Sequence, residues 1–269
     1  MSIFSSPRSR TVLALQGGGA HGAFTWGALD QLLEGGLRFD AVTGVSSGAM
    51  IAAMAVQGMV KNGPEGAREA VSKLWTRVME GNLFGNFPAT PLEPLLRELL
   101  DLKTLRAPEA PRLYVGATDV ENGEAAWFSN AEVGIPHLLA SACIPMMFPT
   151  VQIKGRHYWD GGYSCNPPLA PVLTPRPQTL ILIRAQPRQR KGVPSSTADI
   201  VHRLHEIAFQ APLAAELALL PRQVRLLDIS ADDALAQHPL NSKLNTDRPF
   251  LEALFSAGRK AAARAMQAA

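Results

Sequence analysis

The chain has 269 residues, of which 46% are hydrophobic and 18% are charged, and its formal net charge at pH 7 is +3. This composition excludes a mainly disordered chain, because disordered chains are polar and highly charged, and the dilute positive charge predicts no nucleic-acid partner. The two cysteines, Cys143 and Cys165, are too few for a disulfide scaffold or a cysteine-rich zinc site, and we expect neither a metal nor another cofactor.

The apolar segments are too short for a targeting or membrane-spanning function. Met1–Arg10 contains no apolar run of signal-peptide length, and nowhere do about 18 apolar residues follow one another. We therefore expect a cytoplasmic protein, and peripheral contact with a membrane surface is left open. The densest basic cluster, Arg184–Lys191, has the charge to touch anionic lipid headgroups, although a solvated surface loop is the simpler interpretation.

The first predicted elements alternate between strand and helix. A short apolar run predicts a buried strand at Thr11–Gln16, and helical spacing follows over Ala23–Leu33. A second run, Phe39–Thr43, precedes a small-residue helix at Ala49–Gln57. Strand, turn and helix thus occur twice in succession, which is typical of a parallel α/β sheet.

The remaining elements continue this mixed pattern, with no internal repeat and no linker. We therefore expect a tail at residues 1–10 and a single α/β domain over residues 11–269. Further helices are predicted at Pro64–Glu80, Pro91–Asp101, Ile135–Ile144, Thr197–Leu220 and Arg248–Gln267, hairpins join Leu113–Asp119 to Ala125–Phe128 and Val151–Ile153 to His157–Trp159, and two more strands are predicted at Thr179–Arg184 and Val224–Ser230.

A first chemical motif, GGGAHG at Gly17–Gly22, directly follows a predicted strand and opens a helix. It fits the G-x-G-x-x-G pattern of dinucleotide sites, but the second strand lacks an acidic residue at its end to hold a ribose, since Asp40 lies near its start. Backbone N–H groups at a helix N-terminus carry partial positive charge, and glycines let an oxyanion approach them closely. An oxyanion hole is the favoured interpretation, and a tight turn without a ligand is the alternative.

A second motif, G-x-S-x-G, comprises Gly44, Ser46 and Gly48 and again lies between a predicted strand and a predicted helix. This arrangement is typical of a nucleophile elbow, a strained turn that exposes a serine hydroxyl above a sheet edge. Ser47 is a competing nucleophile, but only Ser46 is central between the two glycines.

A third motif, Asp160-Gly161-Gly162, follows the second predicted hairpin. Taken alone it is compatible with an ordinary turn. A serine hydroxyl, however, needs a base to remove its proton, and burial raises the pKa of an aspartate toward the working pH. The sequence therefore favours a pair formed by Ser46 and Asp160.

A histidine base is the alternative to this pair. The order serine, aspartate, histidine is that of the α/β-hydrolases, but those enzymes have several strands before the elbow, whereas only one precedes Ser46. The histidines with the required chain position are His202, His205 and His238.

Taken together and in this order, GGGAHG, GVSSG and DGG resemble the patatin-like phospholipases, a family of lipid acyl hydrolases. The segment ASACIPMMFP at Ala140–Pro149 is similar to the family's stretch between nucleophile and aspartate. The resemblance covers roughly Thr11 to Pro168. It implies a three-layer α/β/α fold with a mostly parallel central sheet, hydrolysis of fatty acyl esters, and a catalytic Ser–Asp dyad.

The same resemblance implies a role for each motif residue. Ser46 corresponds to the nucleophile and Asp160 to the general base. The family commonly has Arg or Lys where this chain has His21, so a fixed positive charge beside the glycine loop is missing at neutral pH. The loop residues that correspond to the oxyanion hole are Gly17, Gly18 and Gly19, and Gly22 completes the loop.

Two segments are candidates for binding the acyl chain. Met146, Met147 and Phe148 are possible walls of an apolar slot, because methionine adapts to varied shapes, although core packing also explains them. The segment Gly81–Pro94 is rich in Gly and Pro yet carries Leu83, Phe84 and Phe87, which is compatible with an entrance flap or an ordinary packed loop.

We therefore expect a serine lipid acyl hydrolase of the phospholipase A or lysophospholipase type, whose partner is a lipid or other acyl ester. Three alternatives stay open: an acyltransferase with the same acyl-serine intermediate, a histidine-triad esterase, and a binding protein whose glycine loop holds a nucleotide or anion. The sequence leaves the headgroup, the acyl-chain length and the oligomeric state undetermined.

Overall fold

The computed structural model describes residues 10–81, 92–189, 192–236 and 238–268. Most of the proposed flap lies outside these ranges, as do residues 1–9 of the predicted tail and the end of the basic cluster. In the described ranges the strands are β1 Thr11–Leu15, β2 Ala41–Gly44, β3 Arg112–Asp119, β4 Ala125–Ser129, β5 Val151–Ile153, β6 Arg156–Asp160, β7 Thr179–Arg184 and β8 Arg225–Ser230. The α-helices described there are α1 Gly22–Glu34, α2 Ser47–Glu80, α3 Leu92–Leu99, α4 Leu102–Leu105, α5 Ile135–Ser141, α6 Thr197–Ala218, α7 Asp232–Leu235 and α8 Arg248–Ala268.

The eight described strands form a single sheet in the order β5-β6-β3-β2-β1-β7-β8, and β4 also pairs with β3. The pairs from β3 to β8 along this order are parallel, with Leu15 opposite Gly44 on one side and opposite Ile183 on the other. The strands added at the β3 side, β4, β5 and β6, pair antiparallel. The predicted mostly parallel sheet is confirmed, and so are both predicted hairpins.

Both faces of the sheet are covered. Alternate residues of β1 belong to two separate apolar clusters: Leu13 and Leu15 pack with α1, α2 and α8, whereas Val12 and Ala14 pack with Leu213 of α6. Because successive side chains of a strand point to opposite faces, this division requires helices on both sides. The expected three-layer α/β/α arrangement is thereby confirmed.

The helical run α2 combines two helices that the sequence predicts separately. Asn62 and Gly63 have non-helical backbone angles immediately before Pro64, and Gly63 has a positive φ of 58°. Proline disfavours helical geometry in the residue before it, so the break falls where the sequence indicates. The first of the two predicted helices, Ala49–Gln57, was too short, since the helix continues beyond Gln57 to the break at Asn62.

Two other predicted helices were too long. The helix predicted at Pro91–Asp101 ends at Leu99, because Asp101 caps α4: its carboxylate accepts hydrogen bonds from the N–H and the hydroxyl of Thr104 at 3.1 and 2.7 Å. The helix predicted at Ile135–Ile144 ends at Ser141. For the first of these two helices, the bonds of Asp101 follow the general rule that short polar side chains bound to nearby backbone groups set helix boundaries.

Candidate active site

Ser46 lies in a strained turn between β2 and α2. Its φ of 54° and ψ of −127° are outside the regions that non-glycine residues normally occupy. The turn is tight, since a Cβ on Gly44 would lie 2.5 Å from the carbonyl oxygen of Gly48, and one on Gly48 would lie 2.3 Å from that of Leu15. The two glycines therefore allow α2 to start directly against β1.

The backbone of Ser46 is held by a residue that the motif search did not single out. Its N–H donates to the Ser141 hydroxyl at 2.9 Å, and that hydroxyl donates to the Gly116 carbonyl at 2.6 Å. Ser141 is fully buried. This chain of two bonds ties the strained turn to β3 and to the end of α5.

Asp160 ends β6 and is fully buried. Its N–H donates to the Cys143 carbonyl at 2.8 Å, and its carbonyl accepts from the Thr118 hydroxyl at 2.8 Å. Oδ1 accepts from the Gly162 N–H at 2.8 Å. A Cβ on Gly161 would lie 2.6 Å from the Gly116 carbonyl, so Gly161 lets this carboxylate turn pack against β3.

The Asp160 carboxyl has a raised pKa. Burial raises its pKa to about 7, while the Gly162 N–H, the Ser46 hydroxyl and the positive charge of Lys243 act to lower it. Oδ2 is buried and has no hydrogen bond of ordinary geometry to any described residue. Catalytic hydrogen bonds are often loose in enzymes without substrate, and a free carboxyl oxygen beside Ser46 has the position that a base needs.

The glycine turn contributes its residues unequally. Gly17 does not line the cavity described below, because its N–H donates to Asn166 Oδ1 at 2.8 Å and its carbonyl accepts from Gln186 at 2.7 Å. Gly18 and Gly19 do line that cavity, and the Gly18 N–H makes a longer bond, 3.2 Å, to the Ser47 hydroxyl. Of the three glycines, Gly18 and Gly19 are therefore the two that lie at the cavity.

Asn166 connects this turn to the opposite helix layer. Besides accepting from Gly17, its fully buried amide donates to the Phe209 carbonyl of α6 at 3.1 Å. An unmade hydrogen bond at such a site costs about 1–3 kcal/mol. Asn166 therefore acts as a fixed support for the glycine turn.

His21 and Lys243 occupy different positions around the same turn. His21 is buried, and its Nε2 lies 2.8 Å from the Ser242 hydroxyl. Its neighbour in space, Lys243, lines the cavity, and its carbonyl oxygen would lie 2.5 Å from a Cβ placed on Gly19. Burial lowers the pKa of Lys243, and the carboxylates of Glu206 and Asp160 raise it.

A cavity of about 890 Å³, including its open mouth, brings Ser46 and Asp160 together with Gly18 and Gly19. Most of its wall is apolar, and α2 and α3 contribute a large part of that wall. The apolar lining residues on these two helices are Met50, Leu74, Trp75, Val78, Leu92 and Leu95.

Of the three residues predicted to form an acyl slot, Phe148 lines the cavity and the two methionines do not. Met146 has a positive φ of 68°, and 84% of its surface is exposed. The loop after α5 turns the Met146 side chain outward. Residues that are close in this part of the sequence therefore do not all line the cavity. Ala142, Ile144 and Phe148 are the residues of this segment that line the cavity.

The histidines considered as alternative bases do not line the cavity that contains Ser46. None of His202, His205 and His238 is among the described residues that line the cavity.

In the basic cluster, Arg184 pairs with Asp228 and Arg188 with Asp232. These two guanidinium groups therefore bind side chains of the protein itself.

Two features are absent from the residues that the structure describes. Across these ranges no helix is long and apolar enough to cross a membrane. The same part of the chain contains no group of three or more His, Cys, Asp or Glu side chains placed to hold a metal ion.

Comparison with known proteins identifies a family. The model of the patatin-like phospholipase family matches residues 13–173. An uncharacterized NTE family protein of Mycobacterium bovis is 25% identical over 76% of this chain, and the uncharacterized protein YjjU of Escherichia coli is 26% identical over 69% of it. The chain spans 58% and 54% of the lengths of these two relatives.

Among solved structures, the human GIVD cytosolic phospholipase A2 in complex with methyl γ-linolenyl fluorophosphonate has a similar fold. The TM-score is 0.53 with 12% identity, and the match covers 96% of this chain and 59% of that one. The family match ends before Lys243. No sequence motif indicated that Lys243 lines the cavity.

Proposed function

Because the chain belongs to the patatin-like phospholipase family, we propose that it is a lipid acyl hydrolase in which Ser46 is the nucleophile and Asp160 the general base. The observation that carries this proposal is the meeting of two strand-end motifs, more than a hundred residues apart in sequence, in one cavity. Three features support it: the strained serine turn, the buried carboxyl beside it, and the position of Gly18 and Gly19 at the same cavity.

Acylation of the enzyme uses these groups in sequence. The Ser46 hydroxyl oxygen attacks the carbonyl carbon of the ester while Asp160 takes the hydroxyl proton. Negative charge moves to the carbonyl oxygen, where the N–H groups of Gly18 and Gly19 stabilise it. The bond to the alcohol oxygen then breaks, and Asp160 gives its proton to that oxygen, so the free alcohol leaves and an acyl-Ser46 ester remains.

Deacylation reverses the proton movements with water as the nucleophile. Asp160 removes a proton from water, the resulting hydroxide attacks the acyl carbon, and the proton returns to the Ser46 oxygen as the fatty acid leaves. A pKa of about 7 suits both roles, because the group is then able to accept and donate protons near neutral pH.

The cavity wall supports a fatty acyl group as the part that is transferred. The side chains contributed by α2 and α3 offer an apolar surface next to the serine. Burial of apolar surface stabilises a complex by roughly 25 cal/mol per Å² before the costs of association are counted. A long acyl chain gains more from this wall than a short one does.

Covalent labelling tests the nucleophile directly. A fluorophosphonate probe should add one equivalent to the wild-type protein, and peptide mass spectrometry should place it on Ser46. Ser46→Ala should abolish both labelling and hydrolysis of a chromogenic acyl ester. Ser47→Ala is the matched control, since it removes the neighbouring hydroxyl and should leave the labelled position unchanged.

The base is tested by Asp160→Asn, which keeps the size of the side chain and removes its basicity. Hydrolysis should fall by at least about a thousandfold, the order of effect expected for losing the base that activates the nucleophile. Full activity in this variant, or labelling at a residue other than Ser46, would exclude the dyad. Absence of any labelling would favour a binding protein instead.

A further inference from the structure

We propose that the outer face of α6 is an interface on which a second copy of this chain packs, with the two α6 helices antiparallel. Each copy contributes the same surface, which makes the assembly a symmetric dimer, the commonest closed oligomer of soluble proteins. The residues of this face do not line the cavity at Ser46, and the proposal is independent of the hydrolysis proposed above.

The outer face of α6 is apolar along its length. Between residues 200 and 218 every exposed residue is apolar, and at 3.6 residues per turn these positions fall within about 100° of the helix circumference. The three large side chains among them are 42%, 58% and 50% exposed. The seven residues, called the α6 stripe below, are Ile200, Leu204, Ile207, Ala211, Ala214, Ala215 and Ala218.

Helix α8 provides a comparison within the same molecule. It buries its apolar face against α1, and its exposed positions include Glu252, Ser256, Lys260 and Arg264. A surface helix normally turns such polar residues toward water, as α8 does. A long exposed apolar surface instead marks a site of interaction, so the α6 stripe indicates a partner.

The α6 stripe is complementary in size to its own antiparallel copy. Its large side chains lie in the N-terminal half of the helix and its alanines in the C-terminal half. An antiparallel pair centred on residue 209 places Ile200 opposite Ala218, Leu204 opposite Ala214, and Ile207 opposite Ala211. Large and small residues at facing positions interdigitate well, whereas a parallel pair would place large residues against large ones.

Charges at the helix ends favour the same orientation. Asp199 is exposed in the first turn of α6, and Arg222 is exposed just after the helix ends. The antiparallel arrangement brings Asp199 of one copy to the end of the other copy's helix, which Arg222 follows. An acidic and a basic residue thus come together twice, and the opposed helix dipoles attract each other.

The charge of α6 disfavours an anionic membrane as the occupant of this face. Helices that lie on membranes are rich in Lys and Arg on their polar face. In α6 the single basic residue is Arg203, which pairs with Glu206 at 3.0 Å, and the other acidic residues are Asp199 and Glu216. With the histidines neutral, the helix is therefore net acidic and fits a protein surface better.

Sedimentation velocity measures the association. Because one helix pair buries less area than a standard interface, the wild-type protein should pass from monomer to dimer between about 1 and 100 μM. Ile207→Glu puts a carboxylate on each side of the twofold axis and should keep the protein monomeric over this range. Trp127→Glu is the matched control, since it adds the same charge at a side chain that is 44% exposed on β4, and it should dimerise like the wild type.

Cross-linking tests the orientation of the two helices. A mixture of Ile200→Cys and Ala218→Cys should be joined by a short bismaleimide, because the two positions face each other. Ile200→Cys alone should not be joined, since its two copies lie about 27 Å apart along the helix pair. The native Cys143 and Cys165 are buried and should not react.

Three results would overturn the proposal. The first is a wild-type protein that stays monomeric at 100 μM, and the second is cross-linking of Ile200→Cys to itself, which would mean a parallel pair. The third is a dimer that Ile207→Glu leaves intact while its circular dichroism spectrum matches that of the wild type. A monomer that binds vesicles of phosphatidylcholine and phosphatidylglycerol, and loses this binding in Ile207→Glu, would assign the α6 stripe to a membrane instead.

Discussion

At the residue scale, the base that we propose is a single buried carboxyl. Asp160 is 0% exposed, and burial raises its pKa to about 7. The groups that oppose this effect, the Gly162 N–H, the Ser46 hydroxyl and Lys243, stabilise its charged form only in part. In water, an aspartate with its ordinary pKa near 4 is too weak a base to activate a serine at neutral pH.

The activity should therefore depend on pH with an inflection near 7. Below this pH Asp160 is protonated and unable to accept the serine proton, so kcat/KM should fall about tenfold for each unit of decreasing pH. Above about pH 8 it should reach a plateau. The measurement uses a soluble 4-nitrophenyl ester, and because 4-nitrophenol titrates in this range, its release is read at the isosbestic wavelength.

The position of the inflection decides the interpretation. A profile that stays flat down to pH 5 would mean that the base ionises like an exposed aspartate, which contradicts a catalytic role for this buried carboxyl. Detection by titration of the released acid provides a control that is independent of the chromophore.

At the scale of secondary-structure elements, two glycines determine how closely α1 and α8 pack. A Cβ on Gly27 of α1 would lie 1.9 Å from the Phe255 carbonyl oxygen of α8, and one on Gly258 of α8 would lie 2.1 Å from that of Phe24. Glycine lowers helix stability by about 1 kcal/mol relative to alanine. Here it permits backbone contact between the two helices, and α8 thereby covers α1.

Gly27→Ala should destabilise the fold by about 3 kcal/mol, because the new methyl group forces two helix backbones apart. The free energy of unfolding, measured from urea denaturation, should fall by this amount. Gly134→Ala is the control, since an added Cβ there meets nothing closer than 3.8 Å. Equal stability of the two variants would show that α1 and α8 separate without cost.

The sequence predicts the elements that local patterns determine. β1, α1, β2 and the start of α2 follow from alternation, helical spacing and glycine turns within about fifty residues. The helix end at Leu99 was missed because it depends on the bonds of the Asp101 carboxylate to Thr104, and the helix end at Ser141 was also missed. Met146 was assigned to the acyl slot because methionine adapts to varied shapes, but a turn with positive φ points it outward.

Residues that act from a distance left no local signal. Ser141 lies inside the ASACIPMMFP segment, so the family resemblance marked its neighbourhood but not its bond to Ser46. Asn166 and Lys243 support the glycine turn from far along the chain. Only the folded sheet, which places β7 beside β1, brings such segments together.

The buried carboxyl also has a consequence for the stability of the whole molecule. Its folded-state pKa is higher than the pKa of an aspartate in the unfolded chain, so the folded state binds a proton more tightly. This group therefore stabilises the fold at low pH, and the contribution is lost as the pH rises through about 7. Catalytic groups commonly reduce stability in this way.

Asp160→Asn should remove this dependence, because the amide carries no charge. Relative to the wild-type protein, its free energy of unfolding should increase by about 2–3 kcal/mol between pH 5 and pH 8. Urea denaturation at both pH values measures the difference. Ser46→Ala retains the carboxyl and must show at least the wild-type pH dependence, whereas a constant difference between Asp160→Asn and wild type would contradict a raised pKa.

The central position of β1 has a consequence for synthesis on the ribosome. Both flanks of this strand are filled by later segments, and its β7 partner is translated about 160 residues after it. At translation speeds of 5–20 residues per second, the nascent apolar strand waits roughly ten to thirty seconds for that partner. Chaperone capture of emerging chains should therefore persist until Thr179–Arg184 has left the exit tunnel.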